Sequence, residues 1–387
     1  MSLTVGIIGL PLSGKTTLFN ALTRAGAQIS GYPTSTVQAN RAVVQVPDER
    51  LDKLAAIFHP RKVVPTTVEF VDVAGIGQAS EHERREGLSA EFIGHIRNAD
   101  ALAVVLRCFD NPQAPHPAGS VNPVRDLDDL MAELAITDLA TVDKRFETTA
   151  RKAKSGDKKF NEELEFLKRL RDHLNEGRPA SESTFSAPEE VILRELFLLT
   201  IKPRLYVANV GEDTLASAAA LLASVGDGAA PASEGELAQV AALARRASAD
   251  GAELVAVSAR LEAELEELPP EDAAEYLASL GLPALGADRV IQVGYKTLNL
   301  ISFLTAGEDE VRAWTVTRGS KAPTAAGKIH TDFEKGFIRA EVISYGDLLG
   351  AGGSMKVAKE HGQVRLEGKD YTVRDGDIIE FRFNVSK

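Results

Sequence analysis

The chain has 387 residues and a formal net charge of −12, with 44% apolar and 26% charged residues. This balance excludes a generally cationic nucleic-acid binder, though not a local basic patch. One cysteine excludes an intramolecular disulfide framework and suits a reducing cytoplasm. No apolar run approaches the roughly 18 residues that span a bilayer, so no membrane partner is expected. The chain runs straight into a predicted strand with no signal peptide ahead of it, and a cytoplasmic protein of about two or three domains is expected.

The first element is the apolar run Val5 to Ile8, followed by Gly9-Leu10-Pro11-Leu12-Ser13-Gly14-Lys15-Thr16 and then by Leu18, Phe19 and Leu22 at helical spacing. Strand, glycine-rich loop, helix is the context that turns G-x-x-x-x-G-K-[ST] into a phosphate-binding loop. Glycines let backbone N–H groups turn inward around phosphate oxygens, and the helix N-terminus adds positive potential. The expected nucleotide contacts are Leu12, Ser13, Gly14, Lys15, Thr16 and Thr17. Lys15 reaches the β- and γ-phosphates, and Thr16 offers its hydroxyl to Mg²⁺.

Gly31 to Thr36 is polar and turn-rich; Ala42 to Val46 reads as a strand, and Pro47-Asp48-Glu49-Arg50 starts a helix with Leu51, Leu54 and Phe58 on one face. The strand Val68 to Val73 ends in Asp72-Val73-Ala74-Gly75. A D-x-x-G at a strand end downstream of a phosphate loop is a candidate second phosphate and metal site: Asp72 would hold Mg²⁺ and the Gly75 N–H would sense the γ-phosphate. Ala101 to Leu106 suits the middle of a parallel sheet, and Cys108 beyond it reads as a small buried hydrophobe.

Pro112, Pro115, Pro117 and Pro123 break the pattern. Leu127, Leu130, Leu134, Leu139 and Val142, then Phe160, Leu164, Leu167, Leu170 and Leu174, follow helical spacing on either side of Ser155-Gly156-Asp157. The spacing predicts an antiparallel coiled-coil arm within residues 111–195. It carries Lys144, Arg145, Arg151, Lys152, Lys154, Lys158, Lys159, Lys168, Arg169 and Arg171, which read either as a solvated helical surface or as an RNA- or ribosome-facing patch.

Beyond the arm, the strand Leu205 to Ala208 ends in Asn209-Val210-Gly211-Glu212, and the strand Leu254 to Val257 ends in Ser258-Ala259. In Ras-like phosphate-loop proteins two such strand ends read the base, with N-K-x-D on the first. Here Val210 stands at the Lys position and Glu212 at the Asp position, which removes the short carboxylate that pairs both guanine donors. Asn209, Val210, Glu212, Ser258 and Ala259 are therefore the candidate base-site residues. Residues 214–249 read as largely helical. Short strands are predicted at Val311–Val316, Phe337–Ile343, Gln363–Leu366, Tyr371–Val373 and Ile378–Phe383, with one short helix near Ala325–His330 or Tyr345–Leu349. That pattern fits a small β-grasp domain, and His330 reads as structural.

These motifs closely resemble the Obg-like ATPases, or YchF family, of the translation-factor class of phosphate-loop NTPases. The most specific stretches are Pro47-Asp48-Glu49-Arg50-Leu51, Tyr206-Val207-Ala208-Asn209-Val210, Arg312-Ala313-Trp314-Thr315, Ala326 to Phe337 and Leu366-Glu367-Gly368-Lys369-Asp370-Tyr371. The resemblance implies an α/β fold: a Ras-like nucleotide-binding domain (1–110 plus 196–303), a coiled-coil insertion (111–195) and a C-terminal TGS domain of ubiquitin-like β-grasp shape (304–387). It also implies hydrolysis of ATP in preference to GTP and association with the ribosome or a ribosomal subunit. Thr36 would join Thr16 on Mg²⁺ in the ATP state, with Asp72 behind them. Lys15, Thr36 and Gly75 would carry the chemistry, and Ile76 stands where Ras-like proteins place the water-orienting Gln, so hydrolysis is expected to be slow without a partner. Three departures stand out. Leu12 replaces an Asn that ligates potassium in relatives using that ion, and Leu has no oxygen to offer. The stretch from Ile76 to Ser80 is one residue short, and Arg85 to Ser89 has fewer glycines than the family's pattern. The alternatives are a ribosome-assembly GTPase and a nucleotide-gated binding module with vestigial hydrolysis.

Overall fold

The computed structural model describes residues 3–24, 28–29, 40–73, 90–154, 156–224 and 234–384. Its strands, in chain order, are β1 (Thr4–Ile8), β2 (Gln28–Ile29), β3 (Asn40–Gln45), β4 (Lys62–Val64), β5 (Thr67–Asp72), β6 (Ala101–Arg107) and β7 (Arg204–Asn209). They continue with β8 (Glu253–Val257), β9 (Leu300–Ala306), β10 (Glu310–Thr317), β11 (Phe337–Ser344), β12 (Arg365–Glu367) and β13 (Asp377–Phe383). The chain divides into two compact units, Met1–Val43 with Glu69–Val290, and Val44–Val68 with Ile291–Lys387.

The first unit is built on a seven-stranded sheet in the order β2-β3-β5-β1-β6-β7-β8. From β5 to β8 all pairs are parallel, and β2–β3 is antiparallel. Strands β1 and β6 are buried along their whole length, which is why they read as continuous apolar runs rather than alternating ones. One core joins Ile8, Val104, Leu106 and Tyr206 of the sheet to Leu127, Leu130 and Leu134 of the helix Pro123–Ala153, and to Leu215, Val240 and Leu243 of two later helices.

Within 111–195 the leucine spacing falls on two helices, Pro123–Ala153 and Lys158–Asn175. Asn122 caps the first and Asp157 the second, each by accepting a backbone N–H. A separate apolar cluster holds the arm: Ala135 and Val142 against Phe166, Leu167, Leu170 and Leu174, with Leu193 and Leu196. Its root is polar. Buried Asp138 accepts from Leu199 N at 2.7 Å, Thr200 N at 2.8 Å and Thr200 Oγ1 at 2.7 Å.

The second unit has a six-stranded sheet in the order β12-β11-β13-β9-β10-β4. Its composition differs from the expected C-terminal domain in two ways. Strand β9 runs through residues 303 and 304, where that domain is expected to begin, and pairs with β10 over seven register positions from Leu300↔Thr317 to Ala306↔Val311. Val44–Val68, far upstream in sequence, belongs to this unit as well. Strand β4 pairs with β10, and Leu51 and Leu54 of the helix Glu49–Phe58 pack on Leu304, Val311, Ile343 and Ile378. The P-D-E-R motif makes the tie. Asp48 caps the helix and binds Arg50 at 2.8 Å through both Nε and Nη2. Arg50 Nη1 reaches Asp375 Oδ2 at 3.0 Å, and Asp375 Oδ1 accepts from Ser302 N at 2.9 Å.

Two further expectations need correction. Tyr371–Val373 is not a strand: Thr372 makes an isolated bridge to Lys321, and Tyr371 Oη and Arg374 N both donate to Asp377 across the turn at Asp375 and Gly376. Instead of one short helix there are Ala322–Ile329, Thr331–Lys335, Tyr345–Gly350 and Met355–Glu360.

Candidate functional site

The phosphate loop is shaped by backbone conformations that few residues accept. Gly9 has φ 154° and Gly14 φ 93°. A Cβ on Gly14 would lie 2.2 Å from Asn209 Nδ2, so a side chain there collides as well as strains the backbone. Leu12 is the exception, in the left-handed region at φ 64° with 53% of its surface exposed. Across the loop, Lys15 Nζ donates to Leu10 O at 2.8 Å, and Leu18 N closes the first helical turn onto Gly14 O at 2.9 Å.

Beside the loop stands Asp72 at the end of β5, brought there by the parallel register Ile7↔Asp72. Thr16 Oγ1 donates to Asp72 Oδ2 at 3.2 Å. Asp72 Oδ1 is buried and has no hydrogen-bond partner among the described residues, and neither has Ser13 Oγ. Burial pushes the Lys15 ammonium down to about 8 against the pull of Asp72. Burial likewise raises the Asp72 carboxyl, against the Thr16 hydrogen bond and the Lys15 charge. A buried cation and a buried carboxylate displaced in opposite directions beside one loop are a pattern common at functional sites. The hydroxyl of Thr16 and the carboxylate of Asp72 are hard oxygen donors side by side, a set that fits a magnesium ion.

Of the candidate base-site residues, Asn209 and Ala259 are joined directly, while Glu212 has a different partner. Asn209, at the end of β7, is 4% exposed. Its Nδ2 donates to Ser13 O at 2.9 Å, and its Oδ1 accepts from Ala259 N at 3.0 Å. Its amide thus ties the phosphate loop to the start of the helix Ala259–Leu265. Val210 is buried, and Ser258 occupies the N-cap of that helix. Glu212 lies at the exposed start of the helix Glu212–Ser224 and accepts from Tyr276 Oη. Tyr276 is a partner that strand-end motifs could not reveal, because it sits on a later helix, Pro270–Ser279. Thr17 is exposed on the loop helix. Thr36, Gly75 and Ile76 lie outside the described residues.

A cavity of about 430 Å³ in the second unit, lined by Arg50, Gln292, Lys296 and Arg318 among others, includes none of these residues. No helix among the described residues is long and apolar enough to cross a membrane.

Two family models match the chain. Residues 4–146 match a family model described as 50S ribosome-binding GTPase. Residues 300–384 match the YchF-GTPase C-terminal model, described as a protein of unknown function. A Bacillus subtilis protein named ribosome-binding ATPase YchF is 44% identical over 385 residues, covering 100% of both chains. The chain belongs to the YchF family. An Escherichia coli O157:H7 relative of the same name is 43% identical over 385 residues, again with 100% of both chains covered. A solved structure titled YchF GTPase, from Schizosaccharomyces pombe, superimposes with a TM-score of 0.81 at 31% identity and covers 98% of each chain. That likeness extends over the α/β nucleotide-binding fold and the C-terminal unit alike.

Proposed function

We propose that this YchF-family chain is an ATP-hydrolysing switch that acts on the ribosome in the cytoplasm. The observation that carries the reading is the cluster of Lys15, Thr16 and Asp72 around a glycine-shaped loop, with Asn209 bracing that loop from behind. Lys15 leaves Leu10 O and stabilises the β- and γ-phosphates, and the N–H groups of Leu12 to Thr17 line the phosphate cradle. Thr16 and Asp72 hold Mg²⁺, with Thr36 completing the set; when bound, the ion neutralises charge developing on the phosphates. The Gly75 N–H senses the γ-phosphate. Ile76 brings no group that orients water, so turnover is slow until a ribosomal partner or a conformational change assists.

Two descriptions compete for the base, since the matched relatives are named ATPase and the family model and solved structure are described as GTPase. Glu212 favours ATP. Its side chain is longer than the Asp that pairs guanine N1–H and N2–H₂, and its carboxylate already accepts from Tyr276 Oη. Titrating ATP and GTP side by side decides the matter, and a clear preference for GTP would sink the adenine reading.

The arm carries a further proposal, contact with RNA. Of its cations, Arg145, Lys158, Arg169 and Arg171 are ion-paired within the arm or its base. Lys144, Lys154, Lys159 and Lys168 are left to meet phosphates. Binding through them should weaken steeply with salt, and a salt-independent association would count against RNA contact. Ile76 also favours a second reading, a nucleotide-gated module whose hydrolysis is vestigial. Ribosome association that survives Lys15→Ala, together with undetectable turnover in the parent, would select it.

A further inference from the structure

Strand β6 is apolar from Ala101 to Leu106 and then ends on a charge. Arg107 is only 2% exposed and is among the largest fully buried side chains of the described chain. Its Nε donates to Phe109 O at 3.1 Å, and its guanidinium carbon lies 4.8 Å from the centroid of the Phe109 ring. Nη1 and Nη2 are buried, and neither has a hydrogen-bond partner among the described residues. A charged fork of donors in a desolvated place is costly unless something accepts from it.

The sheet says what lies before that fork. Arg107 and Asn209 are register partners in the parallel pair β6–β7, so their side chains stand on the same face. On that face Asn209 reaches Ser13 O of the phosphate loop and Ala259 N. Arg107 therefore occupies the phosphate-loop face at the carboxyl ends of the strands, where open α/β sheets take their ligands. Asp72 lies beyond β1, on the opposite side of the loop. The phosphate and metal half of a bound nucleotide belongs to the β1–β5 side, and its sugar and base belong to the side of β6, β7 and β8.

We infer that Arg107 is a nucleotide-binding residue whose Nη1 and Nη2 donate to acceptors on the nucleoside half of the bound nucleotide. This rests on the ATP-binding reading above. The half-buried Phe109 ring covers the guanidinium, and its displacement opens the fork to the ligand. The arginine is then held ready on one nitrogen while the other two are kept for the substrate. A planar fork suits a paired set of acceptors, which a lysine cannot match.

The test compares the parent, Arg107→Met and Arg107→Lys by calorimetric titration with ATP, ADP and inorganic triphosphate, and by thermal unfolding without ligand. Met keeps the length and removes the charge. Both variants should lose about tenfold or more in affinity for ATP and ADP alike, while triphosphate affinity stays unchanged. Unliganded Arg107→Met should be as stable as the parent or more so, because an unpartnered buried charge has gone. Three results overturn the inference: unchanged ATP affinity in Arg107→Met, an equal loss for triphosphate, or a large loss of unliganded stability with ATP affinity intact. The last would make the fork a structural brace for Phe109. A parent that binds GTP instead of ATP refutes the adenine reading alone, and GTP and GDP then replace ATP and ADP in the same panel. A parent that binds neither nucleotide refutes the proposed function and Arg107's part in it together.

Discussion

Three residues of the loop make separable claims. Leu12 is a branched side chain in a left-handed backbone conformation, which costs on the order of 1 kcal/mol where Asn is better tolerated. Leu12→Asn should therefore raise the stability of the unliganded protein by about that amount in urea unfolding; no gain would mean the loop relaxes this strain elsewhere. Asn209 holds two buried backbone groups, so Asn209→Ala should cost roughly 2–3 kcal/mol of stability and weaken ATP binding at least tenfold. Affinity lost without stability would instead assign Asn209 to the base. Lys15 predicts a pH dependence. Burial holds its folded value near 8, below the ordinary 10.5. Between those values the unfolded chain binds more protons, so unliganded stability rises with pH across that window. Phosphates favour the charged ammonium, so ATP binding takes up a proton there, and affinity should fall as pH climbs above 8, by at most about tenfold per unit. Equal affinities at neutral and clearly alkaline pH would show that Lys15 is charged before the nucleotide arrives.

The arm is the element where sequence and structure agree best, and its weak point is polar rather than apolar. Its stripe of leucines is spaced for two antiparallel helices, and a hydrophobic period over that length leaves few other solutions. Asp138 interrupts the stripe, and the linear pattern does not say why. The structure does: its carboxylate takes both N–H groups and the hydroxyl offered by Leu199 and Thr200. Asp138→Ala leaves those donors buried and unpaired and should cost about 3 kcal/mol, while Leu139→Ala on the partly buried edge costs less. Hydrogen exchange at Leu199 and Thr200 should quicken in the Asp138 variant; unchanged protection there would place the arm's anchorage in its apolar contacts. Strands β1, β6 and β7 were equally legible as apolar runs, and β5 by the Asp72 motif that ends it. Strands β2 and β4 were not, because two or three residues carry no period. Arg107 had a signal of its own, a charge closing an otherwise apolar central strand, but its meaning required the register with Asn209.

At the scale of the whole chain, the division into units is the part least legible in the sequence. Strand β9 follows the helix Gly286–Thr297 with only Leu298 and Asn299 between them, and Asn299 makes the bend at φ 56°. No proline or glycine punctuates that passage, so Leu300 to Ala306 reads as the end of what precedes it. Val44–Val68 is harder still, because nothing local tells a strand and helix near residue 55 that their partners lie beyond residue 300. The one local clue is Pro47-Asp48-Glu49-Arg50, whose arginine outreaches its own cap and binds Asp375. The consequence concerns truncation. A chain ending at residue 303 cuts β9 in its middle, removes β10, and strips Leu51 and Leu54 of the apolar side chains that cover them. Those two side chains alone represent about 3–6 kcal/mol of burial, comparable to the whole stability of many domains. The truncated chain should therefore expose apolar surface, bind a hydrophobic dye, and lose protection in residues 49–58, even though no residue there has been changed. Arg50→Ala in the full chain should show the same loss of protection in milder form, and Arg50→Lys should not restore it, since a lysine cannot bridge Asp48 and Asp375 with a planar fork. If the 1–303 chain instead unfolds as cooperatively as the parent and binds no dye, then the helix Glu49–Phe58 is held by the first unit and not by the strands beyond residue 300.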